Sequence, residues 1–262
     1  MMFEGFLRPA MHALAAFGLP GLCRICGSFL ARATSLPVCP KCLASLQPLA
    51  IPVCTCGRPF PSPAASSAIQ LRCHLCRKGV YAFDLARSFG VYDGVMVQAI
   101  VLLKHHGVTT IAGWFAARLA EMVSRNRDLM SADIIVPVPL DESRRRERGY
   151  NQAELIARML ARRLNMPLQP EILARIKARP KKLKLTRRER WQTVRGAYVT
   201  REGSRIDKQR VLLIDDVFTT GATLDSCTRA LKKAGATRVT AVTVARVVPG
   251  WISPTSVQAS KG

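Results

Sequence analysis

Residues 211–223 read VLLIDDVFTTGAT: an unbroken apolar run, two adjacent carboxylates, then a turn of small residues. Few folds accommodate that order. An apolar run without polar alternation suits a strand covered on both faces. We expect strand at 211–214, with Asp215 and Asp216 at its end and residues 219–223 turning into a helix. The same pattern gives strands at 85–92, 133–138 and 239–244. Helical periodicity appears at 95–103, 112–125, 151–164 and 223–234, the last stopped by Gly235. Strands alternating with helices predict a doubly wound, mainly parallel α/β sheet with its site at the carboxyl ends of the strands.

Small residues at 219–223 let backbone N–H groups approach an anion, and the following helix N-terminus adds partial positive charge. Phosphate fits such a turn, but two carboxylates beside it would repel it unless they face hydroxyls or a Mg²⁺ ion. A ribose 5-phosphate carries both chemistries. The plainer alternative is a strand followed by a capped helix. P-loop and dinucleotide-binding glycine patterns do not occur in the sequence.

Eight of the nine cysteines form four pairs: Cys23 with Cys26, Cys39 with Cys42, Cys54 with Cys56, and Cys73 with Cys76. Two Cys-x-x-Cys turns complete a tetrahedral thiolate site of the zinc-ribbon kind, and a site filled by four protein ligands is structural. The first four cysteines match that pattern. The other four form a second site, although Cys54-x-Cys56 is one residue tighter than the usual knuckle. Disulfides are disfavoured in a cytosolic chain, a redox dithiol needs one pair and not four, and iron is the alternative metal. His-x-Glu is absent, which excludes the zinc deaminases. Cys227 reads as a small buried side chain.

With 40 basic and 17 acidic side chains, net charge +23, the chain favours polyanionic partners. Residues 1–20 read as a short helical segment, too short to span a bilayer and lacking the layout of a secretory signal. A cytoplasmic protein without a membrane span is expected. The division read from the sequence is a helical segment at 1–20, a double zinc ribbon at 21–80, an α/β domain at 81–246 and a tail at 247–262. Within the ribbon, PFPSPAASSA reads as a loop.

Four apolar residues, two acids, then x-x-Thr-Thr-Gly-x-Thr resemble the PRPP-binding motif of the type I phosphoribosyltransferases. Arg148-Gly149-Tyr150-Asn151-Gln152, the LKHHG segment at 103–107, the LTRRERWQTVRGAY segment at 185–198 and the preceding cysteine ribbons resemble the ComF group of competence-associated phosphoribosyltransferase-like proteins. That resemblance implies that Asp215 and Asp216 hold the ribose hydroxyls and, through water, Mg²⁺. It implies that Thr219, Thr220, Gly221, Ala222 and Thr223 cradle the 5-phosphate, and that Pro139, Leu140 and the arginines after them receive pyrophosphate. A mobile loop covers the substrate in related enzymes, and the basic segment 177–195 takes its position. Here Lys182-Leu183-Lys184-Leu185 replaces a Gln-x-Gly-Leu run, and Thr193 stands where Asn is common.

Residues 171–195 hold ten basic and two acidic side chains. Lys182, Lys184, Arg187, Arg188 and Arg190 belong to this strip, and Trp191 lies beside them. It suits single-stranded nucleic acid or, equally, a solvated helical face that partly serves pyrophosphate. His105 and His106 read as structural. Three functions follow from the sequence: a PRPP-binding protein that acts as a Mg²⁺-dependent transferase, a single-stranded DNA-binding competence factor with the phosphoribosyl site as sensor or scaffold, and a protein that docks a partner through its ribbons.

Overall fold

The computed structural model describes residues 21–30, 35–51, 53–60, 72–177, 186–204 and 206–251. The expected N-terminal helix, Lys182, Lys184, most of the Pro/Ser/Ala loop and most of the tail lie outside these residues, as do the side chains of Arg187 and Arg190. The chain forms two compact units, one ending at Leu46 and the other beginning at Gln47.

The first unit carries a knuckle closed by the short helix α1 (Pro40–Ala44). Cys39 is its N-cap and accepts from the Cys42 N–H through sulfur, while Pro40 supplies a ready-made first-turn φ.

The second unit opens on a second knuckle with α2 (His74–Arg77), followed by β1 (Leu85–Val91), α3 (Gly94–His105), α4 (Ile111–Ser124) and the one-turn α5 (Arg127–Met130). Next come β2 (Ile134–Pro137), α6 (Glu142–Arg148), α7 (Gln152–Leu164), β3 (Leu173–Arg175), α8 (Arg187–Val194) and β4 (Tyr198–Thr200). The described residues finish with β5 (Arg210–Phe218), α9 (Ala222–Lys233) and β6 (Arg238–Arg246). Among the described residues four strands make a parallel sheet in the order β1-β6-β5-β2, and β3 and β4 form a separate antiparallel pair.

Residues Val211, Leu212, Leu213 and Ile214 are all buried, so both faces of β5 are covered. Helices α4 and α7 pack on one another and reach the sheet through buried Ile111, Phe115, Leu119, Ile156 and Leu160. Helix α9 packs through Leu224, Cys227 and Leu231. Truncating one such core aliphatic to Ala costs about 2–5 kcal/mol. Cys227 is fully buried, as its sequence setting suggests.

The structure corrects one expectation about the carboxylates. They do not sit beyond the strand end, because β5 continues through them to Phe218. The reason is β6, which is equally long and keeps the ladder going, pairing Asp215 with Thr243 and Val217 with Ala245. Two further boundaries move. Helix α9 begins at Ala222, so Ala222 and Thr223 belong to its first turn, and Asn151 caps α7 from outside, accepting from the Ala153 N–H.

Candidate ligand-binding site

Asp215 and Asp216, adjacent in β5, point to opposite faces of the strand, yet both reach one cavity of about 240 Å³. Thr219, Thr220, Ala222 and Thr223 line the same cavity, as do Pro139 and Leu140 after β2. Gly221 is not part of the lining. Its φ of +81 shapes the turn, and a Cβ there would lie 2.7 Å from both Phe218 Cζ and Tyr81 Cε1. Only glycine combines that conformation with that contact.

Helices α6 and α7 supply a further part of the lining. Asp141 caps α6 by accepting from Ser143 N–H, and Gly149 ends the helix in the left-handed region. This short helix brings Arg144 and Arg148 to the cavity. Asn151 donates from Nδ2 to the Val138 carbonyl at 2.9 Å, and Val138 N–H donates to Ile214 O at 2.8 Å, so Val138, which leads into Pro139 and Leu140, is held through both backbone groups.

Two cations line the cavity that sequence reasoning did not single out. Lys104 Nζ lies 2.8 Å from Asp216 Oδ1, with Asp216 almost fully buried. The other carboxylate oxygen, Oδ2, is buried with no hydrogen-bond partner among the described residues. Arg175, at the end of β3, donates from Nη1 to Tyr198 Oη at 2.9 Å and from Nε to the Lys177 carbonyl, and its Nε is 3.7 Å from Asp141 Oδ2. Lys104 stands inside the LKHHG segment, which was the available signal. Arg175 counted only as a member of the basic strip 171–195, and no local pattern placed it at the cavity.

Asp215 is held differently. Its Oδ1 accepts from the Asp216 N–H at 2.8 Å, while burial, and then the neighbouring Asp216 charge, push its carboxyl up to about 7. At neutral pH this position can hold or release a proton. His105 sits at the end of α3, where burial and then the Arg148 and Lys104 charges press its imidazole below the usual range. Among the basic-strip residues, Arg188 is exposed and does not line the cavity, whereas Thr193 and Val194 do. Residues 187–194 form the helix α8, begun by a capping box between Thr186 and Glu189. Trp191 packs toward Tyr81 at 5.9 Å between ring centroids.

Both cysteine quartets assemble. In each, the four sulfurs lie within 4.8 Å of one another. Backbone N–H groups point at sulfur, with Cys39 N–H on Cys23 Sγ at 3.3 Å and Cys73 N–H on Cys54 Sγ at 3.0 Å, an arrangement that favours thiolate. Cys54 is lowered to about 4, chiefly by its hydrogen bond with Cys56, whose own thiol is pushed up. Such a set holds shared negative charge that a divalent ion satisfies, and each quartet could hold zinc. The tight Cys54-x-Cys56 spacing is accommodated by Gly57, with φ +79.

Residues 151–254 match the phosphoribosyl transferase domain family. Competence protein F of Haemophilus influenzae is 36% identical over 112 residues, 42% of this chain and 49% of that protein, so the match spans about half of that relative's length. Competence protein ComFC of Bacillus subtilis is 29% identical over 205 residues, 76% of this chain and 79% of that protein. DNA utilization protein YhgH of Salmonella typhimurium is 27% identical over 224 residues, covering 84% and 95%. Among the described residues no helix is long and apolar enough to cross a membrane. The parallel sheet, with its acidic pair and small-residue turn at one cavity, is a type I phosphoribosyltransferase fold, and the chain is similar to these competence and DNA utilization proteins.

Proposed function

We propose that this protein binds 5-phosphoribosyl 1-pyrophosphate with Mg²⁺ and transfers the phosphoribosyl group to an acceptor, releasing pyrophosphate. The observation that carries the reading is the convergence of Asp215, Asp216, Thr219, Thr220, Ala222 and Thr223 on one cavity that Arg144 and Arg148 also line. Backbone N–H groups of the turn and the start of α9 suit the 5-phosphate. Asp215 and Asp216 suit the ribose 2′ and 3′ hydroxyls and, through water, Mg²⁺. Pro139, Leu140, Arg144 and Arg148 suit the pyrophosphate, whose developing charge the arginines and Mg²⁺ would neutralise as the C1–oxygen bond breaks. Zinc in both cysteine quartets serves as a structural ion, and the protein works in the cytoplasm.

Calorimetric titration of the zinc-loaded protein with PRPP and Mg²⁺ tests this reading. The wild type is expected to bind and Asp216→Ala to lose binding. No heat from the wild type at millimolar ligand would overturn it.

A second reading has specific support. Relatives named for competence and for DNA utilization, together with the net charge of +23, fit a single-stranded DNA-binding protein whose phosphoribosyl site is a sensor or scaffold. Replacing Arg187, Arg188 and Arg190 by Ala should then weaken DNA binding and flatten its salt dependence, with no turnover detectable in the wild type.

A further inference from the structure

We infer that Arg246 and Tyr81 are positioning residues that couple the second cysteine cluster to the 219–223 turn, so that the turn holds its binding shape only while the cluster is metal-bound. The inference rests on the reading of that turn as a phosphate site.

Two chains of contact run from the cluster to the turn. Arg246, the last residue of β6, is buried and donates from Nη1 to the Cys56 carbonyl at 2.8 Å. Its guanidinium carbon stands 4.5 Å from the ring centroid of Phe218, the last residue of β5. That ring in turn abuts Gly221, where an added Cβ would sit 2.7 Å from Phe218 Cζ. The second chain leaves from Cys76. A short turn closed by Gly79 N–H on Cys76 O and by Val80 N–H on Leu75 O delivers Tyr81, whose hydroxyl donates to the Thr220 carbonyl at 3.1 Å. The Tyr81 ring also meets Gly221, its Cε1 likewise 2.7 Å from a Cβ placed there. Next along the chain, Ala82 N–H donates to Asp225 Oδ1 at 2.7 Å in the first turn of α9. Gly221 is thus crowded by two rings, each tied back to a cluster cysteine or its neighbouring turn.

The residue types suit the task. A guanidinium can donate in its plane to a carbonyl while stacking its face on an aromatic ring, which an ammonium cannot do. No carboxylate pairs with Arg246 among the described residues, and burial works against its charge. Four thiolates around a divalent ion retain net negative charge, which supplies the missing counterpart. A second arginine repeats the arrangement. Arg87 of β1 donates to the carbonyls of Cys54 and Thr55 at 3.1 and 3.2 Å. With the metal gone nothing holds the four sulfurs together, Cys56 no longer fixes Arg246, and the Phe218 ring loses the group that seats it on Gly221.

The test titrates full-length, zinc-loaded protein with ribose 5-phosphate by calorimetry, for the wild type, Arg246→Gln and Tyr81→Phe, with bound zinc and thermal unfolding recorded on each. Arg246→Gln should weaken binding about tenfold through loss of the stacked, buried charge. Tyr81→Phe should weaken it about threefold, as one hydrogen bond to the turn is lost. Zinc should remain at the wild-type ratio in both. Stripping the metal should weaken the wild type further than it weakens Arg246→Gln, because the same link is cut twice in the variant. Zinc-replete variants that bind as tightly as the wild type would overturn the coupling. If Arg246→Gln does not fold, Tyr81→Phe decides alone, and wild-type affinity in that variant rejects the inference. Absence of binding by the wild type would instead overturn the phosphate reading of the turn, and the coupling with it.

Discussion

Lys104 Nζ lies 2.8 Å from Asp216 Oδ1, joining the end of α3 to the C-terminal part of β5 in the lining of the cavity. The carboxylate is almost wholly buried and the ammonium mostly so, so each is the other's main counter-charge. Lys104→Met should therefore destabilise the unit by about 3 kcal/mol, because it strands a buried carboxylate. Adding Asp216→Asn should recover most of that loss. Urea unfolding of the two single variants and the double variant checks both statements, and strict additivity would show that the pair is not coupled.

Asp215 gives the protein a pH dependence of definite sign. Its carboxyl is raised to about 7 in the folded chain by burial and by Asp216, against roughly 3.9 for a free carboxyl. The folded state therefore holds this proton more tightly than the unfolded chain. The stability it contributes is complete below about pH 4 and is lost as the pH rises through 7. A ligand that needs the ionised carboxylate must expel the proton. Ribose 5-phosphate with Mg²⁺ should bind more tightly at pH 8 than at pH 6, and calorimetry in buffers of different ionisation heat should detect proton release that Asp215→Asn abolishes.

Gly221→Ala meets two obstacles at once, a left-handed backbone and two rings 2.7 Å from the new methyl. A strain of about 1–3 kcal/mol is expected, and ribose 5-phosphate affinity should fall with it. Chemical denaturation beside a binding titration separates the two effects. A variant that is stable and binds normally would show that the turn tolerates widening.

Cys73→Ser removes one sulfur from the second quartet, which is braced by Arg87 and Arg246 on the sheet. Metal binding by such sites is folding free energy. The variant, and the wild type treated with a strong chelator, should unfold at a midpoint lower by at least about 5 °C. Elemental analysis should show less zinc in the same samples than in the untreated wild type.

Much of this arrangement was legible in the residues. The strand-forming run at 211–214 and the helix periodicity at 151–164 concern burial, which hydrophobic pattern reports directly. The eight cysteines declared both quartets because ligand spacing is local. What escaped reading was set by distant partners. β5 extends through two acids because β6 lies alongside it, and no property of Asp215 itself favours a strand. Helix α6, with sequence ESRRRER, has no apolar stripe and depends on Asp141 and Gly149 at its ends. The three-residue strands β3 and β4 are too short to show a period, so Arg175 gave no sign of reaching the cavity. Lys104 had a legible address but an unreadable partner, since Asp216 lies 112 positions away.

The sheet order also governs how the chain can be made. β1 pairs with β6 and with no other strand of its sheet, so a strand formed near residue 88 waits for one near 243, and the Ser88 and Thr243 hydroxyls meet across 155 positions at 2.7 Å. Closing so long a loop before any reward slows folding. During synthesis β1 and β5 have no central neighbour until residue 246 has left the ribosome, and both edges are exposed to mispairing. Chains stopped before β6 should be degraded or aggregate instead of persisting as a partly active core, which makes the last strand the step that commits the whole unit.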